Sequence, residues 1–346
     1  MRERGTSADP VVGVDATYTA GPELSGVGRY SLRLMEGLAE WGQPVKRFYR
    51  AHRWWKAPWP KRLLWESGVR GVDLFHGLNQ RLPRRGRTPM VSTFHDLFVL
   101  SAEYSTAEFR ERFAEQAWQA AERSDHIIAV SEFTARQVVE NLGYPRERIT
   151  VVPHGVDWPA AARPAAEREK IVLTVGAVQK RKNTKRMIEA FRAMGPDWEF
   201  WIAGSAGFGA GEMLADCPGN VKVLGYVSDA ELERLYERAA ILAFASLDEG
   251  FGIPVLEGMA HGMAVMTGKR SALPEVAGEA GLLVDPFSVE EMAEAMLRLR
   301  DVELREELWA KGRERARRYS WSRAAKETQA VYQRLVSGED LRQERS

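Results

Sequence analysis

The chain has 346 residues, 45% of them apolar and 28% charged, with a formal net charge of +1. That length suits two domains of ordinary size, each with its own core. A single cysteine, Cys217, excludes an internal disulfide and points to a reducing compartment. The polar first ten residues and the lack of any apolar run near the ~18 residues of a spanning helix argue against a secretory signal or a membrane span; a cytoplasmic protein is expected.

Short apolar runs alternate with longer amphipathic stretches. Strands are predicted at 11–16, 45–49, 72–77, 90–94, 126–131 and 149–153, and again at 171–177, 199–203, 221–227, 241–246, 263–267 and 281–284. Runs this short and this apolar read as parallel strands buried on both faces. Helices lie between them. At 288–300 Val289, Met292, Ala293, Met296 and Leu297 recur at helical spacing behind a Ser288 cap, and a second helix opens at Ser228-Asp229. Two more helices, at 303–318 and 321–336, close the pattern, and the polar tail after Ser337 is expected to fray. Alternating strands and helices imply two doubly wound parallel sheets. The stretch 157–169, with two prolines, five alanines and no apolar period, is the expected linker.

Charge is unevenly spread. Residues 41–90 carry twelve Lys/Arg against two acids, Glu66 and Asp73. Between 47 and 65 the cations interleave with Trp54, Trp55, Trp59 and Trp65. Such a segment suits anionic headgroups at a membrane surface or single-stranded nucleic acid; tryptophans packed on their own domain are the plain alternative.

The strongest chemical signal is Asp248-Glu249-Gly250-Phe251-Gly252-Ile253-Pro254-Val255-Leu256-Glu257, directly after a predicted buried strand. Its glycines let backbone approach a ligand, and Pro254 suits the first position of a helix. A loop entering a helix N-terminus favours an anion. Glu257, one turn into that helix, has an ordinary reading as a dipole partner; Glu249, in the loop, does not. The second signal is Gly176-Ala177-Val178-Gln179-Lys180-Arg181-Lys182-Asn183, three consecutive cations where a parallel strand ends and ligands commonly bind. Cations there can stabilise a leaving diphosphate. Gly26-Val27-Gly28 reads as a flexible loop or a tight turn; with Ser31 at the third glycine position it is a weak dinucleotide fingerprint. His95 ends the strand at 90–94, and Ser131 reads as a helix cap rather than a catalytic residue. No Asp-x-Asp pair occurs, and no Cys/His cluster suggests a metal.

These stretches together resemble the retaining glycosyltransferases of family four, which share the GT-B fold and a Glu-x7-Glu signature matched here by Glu249 and Glu257. Ser271-Ala272-Leu273-Pro274-Glu275-Val276 and Gly281-Leu282-Leu283-Val284-Asp285-Pro286 are similar to the segments that follow that signature. Val152-Pro153-His154-Gly155-Val156-Asp157 is similar to the interdomain segment, with His154 in place of an asparagine. Gly26-Val27-Gly28-Arg29-Tyr30 and Thr93-Phe94-His95-Asp96-Leu97 match two N-terminal segments. The likeness runs from about residue 11 to 336 and is weakest over 41–70.

The resemblance implies two Rossmann-like α/β domains facing a central cleft. An acceptor-side domain would span 1–156, a linker 157–169, a nucleotide-sugar domain 170–318, and a helix at 319–336 would cross back. It implies Glu249 at the donor sugar's hydroxyls, Glu257 at the nucleotide ribose, Lys182 and Arg181 at the diphosphate, and His95 near the reacting centre. Ala177 stands where many members have a further arginine. The expected donor set is Gly28, Ala177, Arg181, Lys182, Val227, Glu249, Gly250, Phe251, Gly252, Ile253 and Glu257; Arg29 and Asp96 are acceptor candidates. The expected reaction moves a sugar, with retention, from a GDP-mannose-like or UDP-sugar donor to a sugar or lipid-linked acceptor, with no metal or other cofactor, in bacterial polysaccharide or glycolipid assembly. A segment at 47–65 could touch the inner face of the membrane, and nucleic acid is not expected. An epimerase of the same fold and a non-catalytic nucleotide- or lipid-binding module are the rival readings; products formed with and without acceptor separate them.

Overall fold

The computed structural model describes residues 9–338 apart from 22–23, 102–103 and 208, so most of the polar N-terminal segment and the expected frayed tail lie outside it. The chain divides into two compact units. The first comprises 1–100, 107–155 and 320–346, the second 101–106 and 156–319.

The first unit is built on a seven-stranded, all-parallel sheet: β1 Val12–Asp15, β2 Val45–Tyr49, β3 Arg62–Leu63, β4 Leu74–Gly77, β5 Met90–Phe94, β6 His126–Ala129 and β7 Ile149–Val151, in the order β3-β2-β1-β4-β5-β6-β7. The second carries six parallel strands: β8 Glu169–Val175, β9 Glu199–Ala203, β10 Val221–Gly225, β11 Ala239–Phe244, β12 Ala264–Gly268 and β13 Leu282–Val284, in the order β10-β9-β8-β11-β12-β13. In both sheets the strand order reverses once, between β1 and β4 and between β8 and β11. Crevices at the carboxyl ends of such strands are where open α/β sheets take ligands.

The central strands explain the apolar runs: β1, β4, β5, β11 and β12 are buried at every residue, because helices cover both faces. The edge strand β10 instead exposes Val223 and Leu224. Caps lie where the side chains allow them. Ser288 accepts from Glu291 N at the start of helix Val289–Arg298, and Ser228 and Glu231 form a reciprocal capping box on helix Asp229–Arg238. Ser131 accepts from Thr134 N.

The chain's last described helix, Trp321–Ser337, belongs to the first unit. It buries Ala325 and Tyr332 against helix Gly26–Glu40 and the sheet, and the Tyr332 hydroxyl lies 2.6 Å from His76 Nδ1 on β4.

One expectation is corrected. Gly26 and Gly28 are not in a loop: they form the first turn of helix Gly26–Glu40, capped by Ser25, whose Oγ accepts from Gly28 N. Gly28 packs so tightly that a Cβ there would sit 2.6 Å from the Tyr18 carbonyl oxygen. The expected linker is pinned to the second unit. Arg168 is buried and donates to the carbonyls of Tyr236 (2.7 Å) and Ala239 (2.8 Å), while Trp309 Nε1 donates to the Arg163 carbonyl at 3.0 Å. Strand β3 was not expected, since two residues carry no periodic signal.

Candidate functional site

In the second unit, the loops after β8 and β11 flank the reversal of strand order and are knitted together. Leu247 N donates to the Arg181 carbonyl at 2.8 Å, and Asn183 Nδ2 donates to the carbonyls of Ala245 (3.0 Å) and Pro286 (2.6 Å). Asn183 has a left-handed backbone (φ 59°) that turns the chain from the short helical turn Lys180–Lys182 into helix Thr184–Phe191. Arg181 and Lys182 are thereby aimed at the end of β11, where Glu249 waits. Lys182 Nζ donates to Glu249 Oε1 at 2.6 Å, and Arg181 Nη1 lies 3.0 Å from the same oxygen and donates to the Asp248 carbonyl at 2.6 Å. The lysine stem lies along Gly176, where a Cβ would stand 3.1 Å from Lys182 Cε, and its ammonium sits 4.7 Å from the centre of the Phe244 ring.

Burial alone would raise the Glu249 carboxyl, but the Arg181 and Lys182 charges overcome it and hold the group at about 2. Glu249 is therefore a permanent carboxylate, able only to accept hydrogen bonds.

The Glu249 loop continues through Gly250 and the buried Phe251, whose ring meets Tyr319 edge-on at 5.9 Å. Gly252 takes φ 104°, a conformation open to glycine, and helix Ile253–Ala260 begins immediately after it, with Pro254 second rather than first. Ala272 N donates to the Glu249 carbonyl at 3.2 Å, fixing the loop from outside. Glu257 lies one turn into the helix, half-buried, and accepts from the Tyr236 hydroxyl at 2.7 Å. Ala177 and Val227 are half-buried in the turns after β8 and β10. Arg181, Lys182 and Glu249 are thus brought into contact, while Glu257 is held by a separate partner.

In the first unit, His95 follows β5. Its Nε2 is 2.9 Å from the Leu78 carbonyl, its ring stacks on His154 (5.4 Å, 12° between planes), and Tyr30 meets both rings edge-on. Burial lowers the His95 imidazole to about 4, against the opposing bond to Leu78. Beneath it runs a buried hydroxyl–imidazole chain. Tyr30 Oη is 3.0 Å from Thr93 Oγ1, which is 2.8 Å from His76 Nε2, and His76 reaches Tyr332. Arg29 sits in the first turn of helix Gly26–Glu40 and Asp96 beside His95, both half-buried.

His76, Tyr236 and Phe244 were not singled out in the sequence, and Tyr30 entered only as the last residue of the family-like segment that begins at Gly26. Each meets its partner through the fold, and no spacing along the chain marks them. His154 carried a signal, as the imidazole standing where the family segment has an amide. Of the four tryptophans in the basic segment, Trp54 packs on the unit's core, whereas Trp55, Trp59 and Trp65 are 87%, 77% and 63% exposed. Among the described residues no group of His, Cys, Asp and Glu side chains could hold a metal ion, and no helix is long and apolar enough to cross a membrane.

Two family models match the chain: Glycosyltransferase Family 4 over residues 42–158 and Glycosyl transferases group 1 over 160–318. The O-antigen chain mannosyltransferase B of Escherichia coli is 28% identical over 299 residues, covering 80% of this chain and 78% of its own. Among solved structures, the sucrose-phosphate synthase of Thermosynechococcus elongatus superposes with a TM-score of 0.73 at 19% identity, over 95% of this chain and 99% of its own. Anabaena HepE, solved in complex with UDP-glucose, gives a TM-score of 0.70 at 16% identity, over 94% and 99%.

Proposed function

Because the chain belongs to the glycosyltransferases of family four and has their GT-B fold, we propose that it moves a sugar with retention, and without a metal ion, from a nucleoside diphosphate to an acceptor hydroxyl in polysaccharide assembly. The observation that carries this reading is the three-way contact of Arg181, Lys182 and Glu249 at the carboxyl ends of β8 and β11.

In that step the bond between the sugar's anomeric carbon and the diphosphate oxygen breaks and a bond to the acceptor oxygen forms on the same face. The leaving phosphate oxygen takes the acceptor's proton. Negative charge grows on the diphosphate, where Lys182 and Arg181 stand fixed and partly desolvated, so little reorganisation is needed. Glu249 accepts from the donor sugar's hydroxyls. The backbone from Gly250 to Ile253 holds sugar and phosphate, and Glu257, oriented by Tyr236, accepts from the ribose. His95, in the first unit, is a neutral imidazole. GDP-mannose is the first donor to test, supported by the mannosyltransferase relative, and UDP-sugars the next, supported by HepE with UDP-glucose.

The acceptor is a sugar or a lipid-linked sugar. Trp55 and Trp59, exposed among the cations of residues 47–65, support contact with an anionic membrane surface.

A thermal-shift screen of nucleotide sugars, followed by hydrolysis of the best binder, tests the reading. The wild type should release nucleoside diphosphate, and Glu249→Ala should release it about 10²-fold more slowly. Equal rates would remove Glu249 from the site.

A further inference from the structure

Lys182 is held from two sides. Its ammonium donates to Glu249 at 2.6 Å and stands over the Phe244 ring, 4.7 Å from the ring centre, with 16% of the side chain exposed. The stem runs along Gly176, whose backbone takes φ 132° and where a Cβ would stand 3.1 Å from Lys182 Cε. Lysine is a point charge on a flexible stem, so its tip stays in one place only where the surroundings hold it. Lys182 ends the short helical turn Lys180–Lys182, which supplies no such hold by itself.

Phe244 is the rigid side of this clamp. It is the last residue of β11 and 1% exposed. Its backbone pairs with Thr267 of β12, and the Thr267 hydroxyl donates to its carbonyl at 2.9 Å. The two anchors of the ammonium differ in charge. A carboxylate beside the ammonium repels an incoming diphosphate, and in the transferase step Glu249 is also engaged by sugar hydroxyls. The ring attracts the cation through its quadrupole and carries no net charge. It therefore keeps the ammonium in place without opposing the anion that the ammonium must meet. That attraction is larger where water is excluded, and this ammonium is mostly buried. An aliphatic side chain would fill the same space and offer none of it.

We propose that Phe244 is a positioning residue for the leaving diphosphate: its ring holds the Lys182 ammonium where the nucleoside diphosphate lodges. The proposal rests on the transferase reading above and adds to it a group that touches no substrate. Phe244 acts through Lys182 alone, so its effect on affinity vanishes once Lys182 is gone.

The test is a double-mutant cycle, read by calorimetry with GDP and UDP on the full-length wild type, Phe244→Leu, Lys182→Ala and the double variant. Leucine keeps an apolar side chain and removes the ring. In the wild-type background Phe244→Leu should weaken the tighter-binding nucleotide about fivefold, the scale of one desolvated cation–ring contact. In the Lys182→Ala background it should change nothing. An equal loss in both backgrounds assigns the ring to packing and overturns the proposal, as does no loss in either. A second measurement needs neither a Phe244 variant nor a ligand. In protein labelled with carbon-13 at lysine Cε, the Cε protons of Lys182, identified by their absence in Lys182→Ala, should resonate upfield of the other lysines through the ring current. A signal among the others overturns the ring contact. A wild type that binds neither nucleotide sinks the diphosphate site and the transferase mechanism with it, whereas nucleotide binding indifferent to Phe244 sinks this proposal alone.

Discussion

Lys182 and Glu249 lie 67 residues apart in the chain, and their side chains meet at 2.6 Å across the point where the second sheet reverses its strand order. Replacing Lys182 with alanine removes a fixed cation while Arg181 still neutralises Glu249. Affinity for the nucleoside diphosphate product should fall about tenfold or more, as expected for one charged contact. Calorimetry with the product decides it, and unchanged affinity would exclude Lys182 from the phosphate site.

Tyr236 tests whether Glu257 works on the nucleotide. Tyr236→Phe removes the hydroxyl that donates to Glu257 Oε2 and leaves the ring stacked beside His261. The donor KM should rise by about tenfold or more, the scale of one hydrogen bond to a charged group, while kcat stays near the wild type. A fall in kcat at constant KM would place Glu257 in the chemical step instead.

The buried imidazoles set an acid limit. Burial lowers His76 to about 3, helped by the neighbouring His95, and lowers His95 to about 4, against an ordinary value of 6.5. Below pH 6.5 the unfolded chain takes up protons that the folded chain refuses. Stability is therefore full above that pH and declines as pH drops toward 4 and then 3. Glu249 extends the loss in the same direction, from its ordinary 4.5 down to about 2. Melting temperatures measured from pH 7.5 to 4 should fall monotonically, and His95→Gln should flatten part of the slope. A flat profile would contradict the buried, neutral state of both rings.

Gly28→Ala should destabilise the first unit by about 1–3 kcal/mol, the range for forcing extra atoms into packed surroundings, because the new methyl meets the Tyr18 carbonyl oxygen. Denaturant melts measure the change, and a neutral result would show that the start of helix Gly26–Glu40 can shift outward.

Much of the architecture was legible because each strand is short, apolar and followed by turn chemistry, and the loops after β8 and β11 carry glycines and charges. Lys182, Arg181 and Glu249 stood out for that reason: cations or a carboxylate at the end of a buried strand have no role in packing. The chain Tyr30–Thr93–His76–Tyr332 was not legible. Tyr30 and Thr93 fall within family-like segments, but nothing in sequence joins them to His76, an ordinary core residue, or to Tyr332, 256 residues from it. Gly26 and Gly28 misled in the other direction, since glycine signals a loop and the packing against Tyr18 that requires it here is invisible in one dimension. Arg50, in a run of a dozen basic residues, was indistinguishable from its solvated neighbours until Asp15 and Glu66 were seen beside it.

The placement of Trp321–Ser337 in the first unit has a consequence for synthesis. A ribosome delivers the whole second unit before it delivers the helix that supplies Tyr332 to His76. The earlier-made half must therefore wait, incomplete, with Leu34, Leu38 and its buried histidine lacking their cover, while the later-made half can already fold. Nascent chains stalled before residue 320 should be protease-sensitive in the first unit and resistant in the second, the reverse of the order in which the two are made.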